Sequence, residues 1–398
     1  MKKLFVVNNV FSAAAQYGIK TFIRELLGTL ADTEYSVTVV DLCSNSQTIE
    51  SETLEGIQYL RIPTVPCFSK NNDKYCRNVA YILATYVKQE DEVIFHFNYL
   101  HHRMIAHTLK QILPQSKQIL TIHYFEWIFR LKGDEDEFRR IICQKACTTK
   151  QEIDTYKEYL QDKEFFHTVD KVVVLCKDTW NLMRDVYQVP ESNLARISNG
   201  LTDVYIPLDA SARESLRKEF GFEAQDKLIL SVGRISELKG IGLLIDAVKP
   251  LIDRNPEIHL ILAGSGEDEK LYKKASLGYW KNIHFVGQLE QDTVYKLYQI
   301  ADLGAFLSFY EQFGYVAIEM MMFGLPLIAL TSKGGLKDIL SNENLKNYSI
   351  SKWNVLAVKE KIECILQKRS VQVLNFRECY TSFYQNEILK QYKAVYKT

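Results

Sequence analysis

Two short stretches of this chain place charged residues where an anion would be expected. The first is Gly233-Arg234-Ile235-Ser236-Glu237-Leu238-Lys239-Gly240, which sets two cations just past the apolar run LILSV (228–232) and ahead of a helical stretch. A helix N-terminus already carries about half a positive charge. Two further cations there are unfavourable unless an anion such as a diphosphate lies among them. A single Lys or Arg at such a place is commonly a solvated surface cation, but the pair favours the anion.

The second stretch is FYEQFGYVAIEMMMFGLP, from Phe309 to Pro326. Glu311 falls in the loop after an apolar run, and Gly314 lets backbone amides approach a ligand while opening the next helix. Glu319 sits in that helix among Val316, Ala317, Ile318, Met320, Met321 and Met322. A carboxylate in such company should be partly buried, and a buried acid requires donors. Two ribose hydroxyls would serve; the alternative is a surface-facing Glu on an amphipathic helix. Further candidates are His123, after the run ILTI, and His96 in VIFHFNY, which with Asn98 could line the site. A lone histidine at a strand end is as often structural as functional.

The elements that position these residues follow from hydrophobic patterning. Apolar runs at 3–7, 35–42, 93–97, 119–124 and 171–176 read as buried parallel strands, with amphipathic helices at 20–30, 75–88 and 104–113 between them. A proline- and turn-rich stretch at 190–207 reads as a domain crossover. The rhythm then restarts with strands at 228–232, 259–263, 284–287, 303–309 and 325–330. The pattern predicts two tandem Rossmann-like, doubly wound α/β halves, 1–200 and 201–375. Residues 376–398 read as a terminal helix with an apolar stripe, able to pack on either domain, and 126–163 as a charged helical insertion beside the first sheet. In open parallel sheets the ligand lies beyond the carboxyl ends of the strands, where the charged loops fall.

Composition excludes several classes. The 398 residues carry 49 Lys+Arg against 49 Asp+Glu, which argues against a nucleic-acid binder. No run reaches the roughly 18 apolar residues of a membrane span, and the start turns polar at Asn8-Asn9 too early for a secretory signal. The eight cysteines are scattered, as in a reduced, cytoplasmic protein; peripheral contact with a membrane surface stays compatible with that reading. Cys143 and Cys147 share a helical face but lack a second ligand pair. Asp134 and Asp136, in KGDEDEF, imitate a metal-binding D-x-D but lie in a charged helical segment. No metal and no cofactor are expected. The turn after the first strand, NNVFSAAAQYG, lacks the G-x-G-x-x-G of a nicotinamide enzyme.

The order strand, G-R-x5-K-G, helix, strand, A-G-S-G, then E-Q-F-G-Y-x3-E-M-M-x-F-G-L-P and G-G-x2-D closely resembles the family 4 retaining glycosyltransferases of the GT-B fold, strongly over 195–370 and collinearly before it. The resemblance implies two Rossmann-like domains facing a central cleft, acceptor on the first and nucleotide sugar on the second. It implies that Arg234 and Lys239 neutralise the diphosphate, that Glu311 contacts the sugar, and that Glu319 takes the ribose hydroxyls. Gln312, Phe313, Gly314 and Tyr315 would offer amides to the phosphates, Gly233 and Gly264-Ser265-Gly266 would lie near the nucleotide, and His123 near the anomeric carbon. On the acceptor side Gly18, the one glycine left in the loop 12–21, and His96 match family positions. Asp338 stands where the family usually has Glu. Acceptor choice is expected around 16–20, His101-His102 and the insertion, with Trp127, Phe129, Arg130 and Lys132; glycans, lipid-linked glycans, small molecules and peptides all fit. An epimerase or phosphorylase on the same fold, or a silent nucleotide-sugar-binding subunit, would share these motifs; release of nucleoside diphosphate coupled to a new glycoside separates them.

Overall fold

The computed structural model describes residues 1–10, 18–30, 34–64, 72–144, 147–341, 343–367 and 375–397. The chain forms two compact units, Met1–Thr202 with Gln385–Thr398, and Asp203–Tyr384. The chain crosses from the first unit to the second after Thr202 and returns after Tyr384.

The first unit is built on eight strands: β1 (Lys2–Asn9), β2 (Tyr35–Ser44), β3 (Glu50–Leu54), β4 (Ile57–Pro63), β5 (Glu92–Phe97), β6 (Lys117–Thr121), β7 (Lys171–Val174) and β8 (Leu194–Arg196). Their order across the sheet is β3-β4-β2-β1-β5-β6-β7-β8. All neighbours are parallel except β3 and β4. That hairpin was not anticipated, because ESETL is polar and mostly exposed. It turns on Glu55-Gly56, both at positive φ (50° and 79°), the left-handed pair that matches strand twist.

The second unit has six parallel strands, β9 (Lys227–Val232), β10 (Ile258–Ala263), β11 (Ile283–Gly287), β12 (Leu303–Phe306), β13 (Leu327–Leu330) and β14 (Ser349–Ile350), ordered β11-β10-β9-β12-β13-β14. Strands such as LILS in β9 and LIAL in β13 are buried throughout, which is why they read as continuous apolar runs rather than alternating ones. The helix Ile241–Ile252 lies against this sheet with Leu244, Ile245, Ala247 and Val248 in the core. In each sheet the winding reverses once, between β1 and β5 in the first and between β9 and β12 in the second. Such a reversal leaves a crevice at the carboxyl ends of the two strands, and the loops carrying Asn98, Arg234 and Glu311 emerge there.

The insertion forms three helices, Glu126–Arg130, Glu135–Gln144 and Lys150–Thr168. The last begins with a capping box, the Thr149 hydroxyl accepting from the Glu152 amide while Glu152 accepts from the Thr149 amide. The terminal segment is not one helix. Phe376–Tyr380 and a 3-10 turn at Thr381–Phe383 belong to the second unit, Tyr384 is extended (φ −61°, ψ 129°), and Gln385–Lys397 belongs to the first. That last helix is tied down through Tyr396, whose hydroxyl lies 2.8 Å from His96 Nδ1, and through Lys117 Nζ, which donates to the Val395 carbonyl at 2.6 Å.

His96 therefore departs from its expected place. It is fully buried, with Nδ1 on Tyr396 and Nε2 on the Thr121 hydroxyl at 2.7 Å, so both ring nitrogens are engaged inside the core rather than lining an open site. Burial pulls its pKa down to about 3, which keeps the ring neutral. Tyr396→Phe leaves His96 Nδ1 without its partner, and we expect it to lower stability by about 1–2 kcal/mol; an unchanged midpoint in urea denaturation would show that the bond contributes nothing.

Candidate functional site

In the second unit, the loops leaving β9, β10, β12 and β13 are drawn together backbone on backbone. Gly264 has φ 145°, and a Cβ there would lie 1.8 Å from the Gly233 carbonyl oxygen. Ile235 N donates to the Ser265 carbonyl at 3.0 Å, lacing the β9 and β10 loops. On the other side, Gly335 N donates to the Glu311 carbonyl at 2.7 Å, and a Cβ on Gly334 would stand 2.2 Å from that same oxygen. The glycines of A-G-S-G and G-G-x2-D thus serve loop-to-loop approach.

A third main-chain contact, Phe309 N donating to the Leu238 carbonyl at 2.8 Å, joins the β9 and β12 loops and brings Lys239 to Glu311. Their side chains form an ion pair, partly shielded from solvent, and the Lys239 ammonium lies 5.7 Å from the centre of the Phe306 ring. One of the two predicted cations is thus neutralised by one of the two predicted acids. Arg234 is half-buried and makes no hydrogen bond or ion pair with any described residue. Gln312 and Phe313 are buried. Gly314, at φ 92°, opens the helix Tyr315–Met322, and the amides of Phe313 and Gly314 donate to no described residue. The Phe313 ring packs edge-on against Tyr315 at 5.1 Å.

Glu319 is buried, not surface-facing, and its carboxylate accepts from the Tyr298 hydroxyl at 2.7 Å and from Gln291 Nε2 at 3.3 Å. These donors were not foreseen: both lie on the helix Gln291–Ile300, which in sequence is an ordinary amphipathic segment. Burial, reinforced by the Glu319 charge, holds the Tyr298 hydroxyl well above its ordinary pKa, so it stays a donor. Asp338 lies part-buried in the short helix Gly335–Ile339.

In the first unit, His123 follows β6 and meets Asn98, which follows β5. His123 Nε2 is 3.1 Å from Asn98 Oδ1, and Asn98 Nδ2 donates to the Val7 carbonyl of β1 at 3.2 Å. The Phe22 ring packs on the imidazole at 4.8 Å. Burial, with a smaller contribution from His96, lowers the His123 pKa to about 3. Nearby, Asn9 Nδ2 lies 2.8 Å from His101 Nε2, and burial takes the His101 pKa to about 4. Gly18 is the exposed first residue of the helix Gly18–Leu30; residues 11–17 of its loop lie outside the described residues.

The insertion residues separate in two. Trp127 is buried and stacked on Phe138 at 4.3 Å, and Arg130, part-buried, is paired with Glu158. Phe129 and Lys132 are exposed. Asp134 is exposed and accepts from the Glu137 amide at the start of a helix, and Asp136 is exposed beside it, as for a solvated face.

Two parallel-sheet α/β units with a charged loop cluster at a switch point define the GT-B class. The model of the glycosyl transferases group 1 family matches residues 212–379, within the second unit. The mannosylfructose-phosphate synthase of Agrobacterium fabrum is 26% identical over 349 residues, 81% of this chain and 73% of that one. The chain spans about half the length, or less, of other curated relatives it matches. Among solved structures, a sucrose-phosphate synthase from Thermosynechococcus elongatus superposes with a TM-score of 0.76 at 19% identity, covering 100% of this chain and 98% of that one. The Anabaena HepE protein in complex with UDP and glucose gives 0.73 at 16%, covering 99% of each.

Gly264→Ala forces the β9 and β10 loops apart or the chain out of its φ. We expect a folded protein destabilised by about 1–3 kcal/mol, with ligand binding by the second unit weakened. A variant with unaltered melting temperature and unaltered ligand response would remove the lacing from the account.

Proposed function

We propose that the chain is a retaining glycosyltransferase that moves a hexose-type sugar from a nucleoside diphosphate donor, UDP- or GDP-linked, to an acceptor. The observation that carries this reading is the convergence of Arg234, the Lys239–Glu311 pair and the helix start at Phe313-Gly314 on one switch point of the second unit. It is supported by the match of the glycosyl transferases group 1 model to the second unit and by a structural neighbour in complex with UDP and glucose.

When the bond from the sugar to the diphosphate breaks, negative charge grows on the leaving phosphate oxygen and positive charge on the ring. Arg234 and the helix-start amides stabilise the former, help worth several kcal/mol in a site that excludes water. Lys239 exchanges its contact with Glu311 for the phosphate, and the Glu311 carboxylate is released to accept from sugar hydroxyls. Glu319, steadied by Tyr298, takes the ribose hydroxyls. No side chain in the cluster is assigned as a covalent nucleophile, and the resemblance to the retaining family favours attack by the acceptor oxygen on the face the diphosphate leaves. Its proton passes to the departing phosphate oxygen, and configuration is retained. The diphosphate charge is met by side chains and amides, and the reading requires no metal and no cofactor.

For the acceptor, mannosylfructose-phosphate synthase and sucrose-phosphate synthase make phosphorylated products by their names. Phosphorylated small sugars are therefore the first class to try, before glycan, lipid-linked and peptide acceptors. No helix among the described residues is long and apolar enough to cross a membrane, and the proposal keeps the enzyme in the cytoplasm.

Thermal-shift titration with UDP, GDP and their sugars should raise the melting point for one base, since a ligand held only by the folded state stabilises it. With that donor, Arg234→Ala, Lys239→Ala and Glu311→Ala should each cut turnover by about 100-fold or more while remaining folded, and EDTA should leave wild-type turnover unchanged. Near-normal turnover in Glu311→Ala or Lys239→Ala would overturn the role assignments; donor binding without transfer to any acceptor would replace the enzyme with a binding protein.

A further inference from the structure

We infer that Asn98 is a positioning residue: anchored on the Val7 carbonyl, it holds the His123 imidazole in the Nε2–H tautomer and leaves Nδ1 as a hydrogen-bond acceptor for a ligand hydroxyl. This deepens the proposed function, on which the catalytic part of it rests.

A backbone carbonyl can only accept. Because Val7 O lies 3.2 Å from the Asn98 amide, the group facing it must be the NH2, and a flipped amide would set two oxygens against each other. The other end of the amide, 3.1 Å from His123 Nε2, is then the oxygen, and Nε2 must carry the hydrogen. Asn98 is almost wholly buried, so water does not compete for either end. Every link in the chain, from strand carbonyl to amide to imidazole, has one permitted direction.

The remaining polar atom, Nδ1, bonds to no described residue and retains its lone pair as long as the ring stays neutral. The surroundings favour neutrality. Phe22 covers one side of the ring, and the titratable neighbour, His96, is itself neutral and held by Tyr396 and Thr121. Burial takes His123 to about 3, far from physiological pH. An asparagine suits this arrangement where an aspartate would not, since a carboxylate at the same distance would draw a second proton onto the ring and occupy Nδ1.

The test uses the full chain labelled with 15N at its eight histidines, with His123→Gln to assign the signal. Wild-type His123 should show the Nε2–H pattern, unchanged from pH 7.5 to 5.5, with its Nδ1 resonance shifting when the donor found by thermal screening is added. Asn98→Asp should make His123 doubly protonated near pH 6, with kcat falling about tenfold there, recovering as pH rises, and donor KM little changed. Asn98→Ser, which keeps the fold if the aspartate does not, should give mixed tautomers and a pH-independent loss of kcat. A wild-type Nδ1–H tautomer, or Asn98→Asp with unaltered His123 signals, overturns the inference. So does full kcat in both Asn98 variants. Tautomer and donor-induced shift are read without turnover, so a wild type that transfers no sugar sinks the transferase reading while the dyad still stands or falls on its own spectra.

Discussion

The second unit depends on a constraint of size: at Gly264 and at Gly334 there is no room for a single carbon. The β9 and β10 loops meet with the Gly233 carbonyl where a Cβ of residue 264 would be, and the β12 and β13 loops meet with the Glu311 carbonyl where a Cβ of residue 334 would be. Both glycines also sit at positive φ, 145° and 79°, which other residues adopt only with strain. Because the loops touch through main chain, their spacing is set by rigid groups and not by flexible side chains. A further main-chain contact, from Phe309 N to the Leu238 carbonyl, joins the two pairs of loops and sets Lys239 opposite Glu311.

The first unit solves the same problem with side chains. Its switch-point loops are tied by Asn98, which reaches from the end of β5 to β1 and to His123 after β6. Beneath this, His96 joins β5 to β6 through Thr121 and to the last helix through Tyr396. Imidazoles suit this work because a neutral ring both donates and accepts, and burial holds these rings neutral. The last helix thus completes the polar network under the first sheet as well as its apolar packing, with Tyr392 and Tyr396 buried.

Legibility in the sequence followed the physics of each element. Strands buried on both faces announce themselves as apolar runs, so the two-sheet pattern and the loops just past the strands could be read directly, and with them Arg234, Lys239, Glu311 and Glu319. The β3–β4 hairpin escaped because one of its strands is polar and exposed. Tyr298 and Gln291 escaped because a helix residue that turns a hydroxyl or an amide toward a carboxylate looks like any amphipathic residue. His96 was misplaced for a different reason: its partner Tyr396 lies 300 residues away, and nothing near position 96 distinguishes a satisfied core histidine from a ligand contact. Gly264 was read only as lying near the nucleotide and Gly334 only as part of a motif; the room each makes is for another loop.

The Lys239–Glu311 pair shows how a charged site is kept compatible with a folded unit. An unpaired carboxylate or ammonium at this depth would carry a desolvation cost that a marginally stable domain feels; paired, the two offset one another. Under the proposed function, a diphosphate entering such a place would not add charge to an empty pocket. It would substitute for a carboxylate at one cation and find the other, Arg234, already unengaged among the described residues. Exchange of one anion for another leaves the cation count of the site unchanged. The displaced carboxylate is released beside the bound anion, where like charges repel, and hydroxyl donors are what would hold it there. Under the proposed function, the same pair would thus prepare both halves of the interaction with a sugar diphosphate.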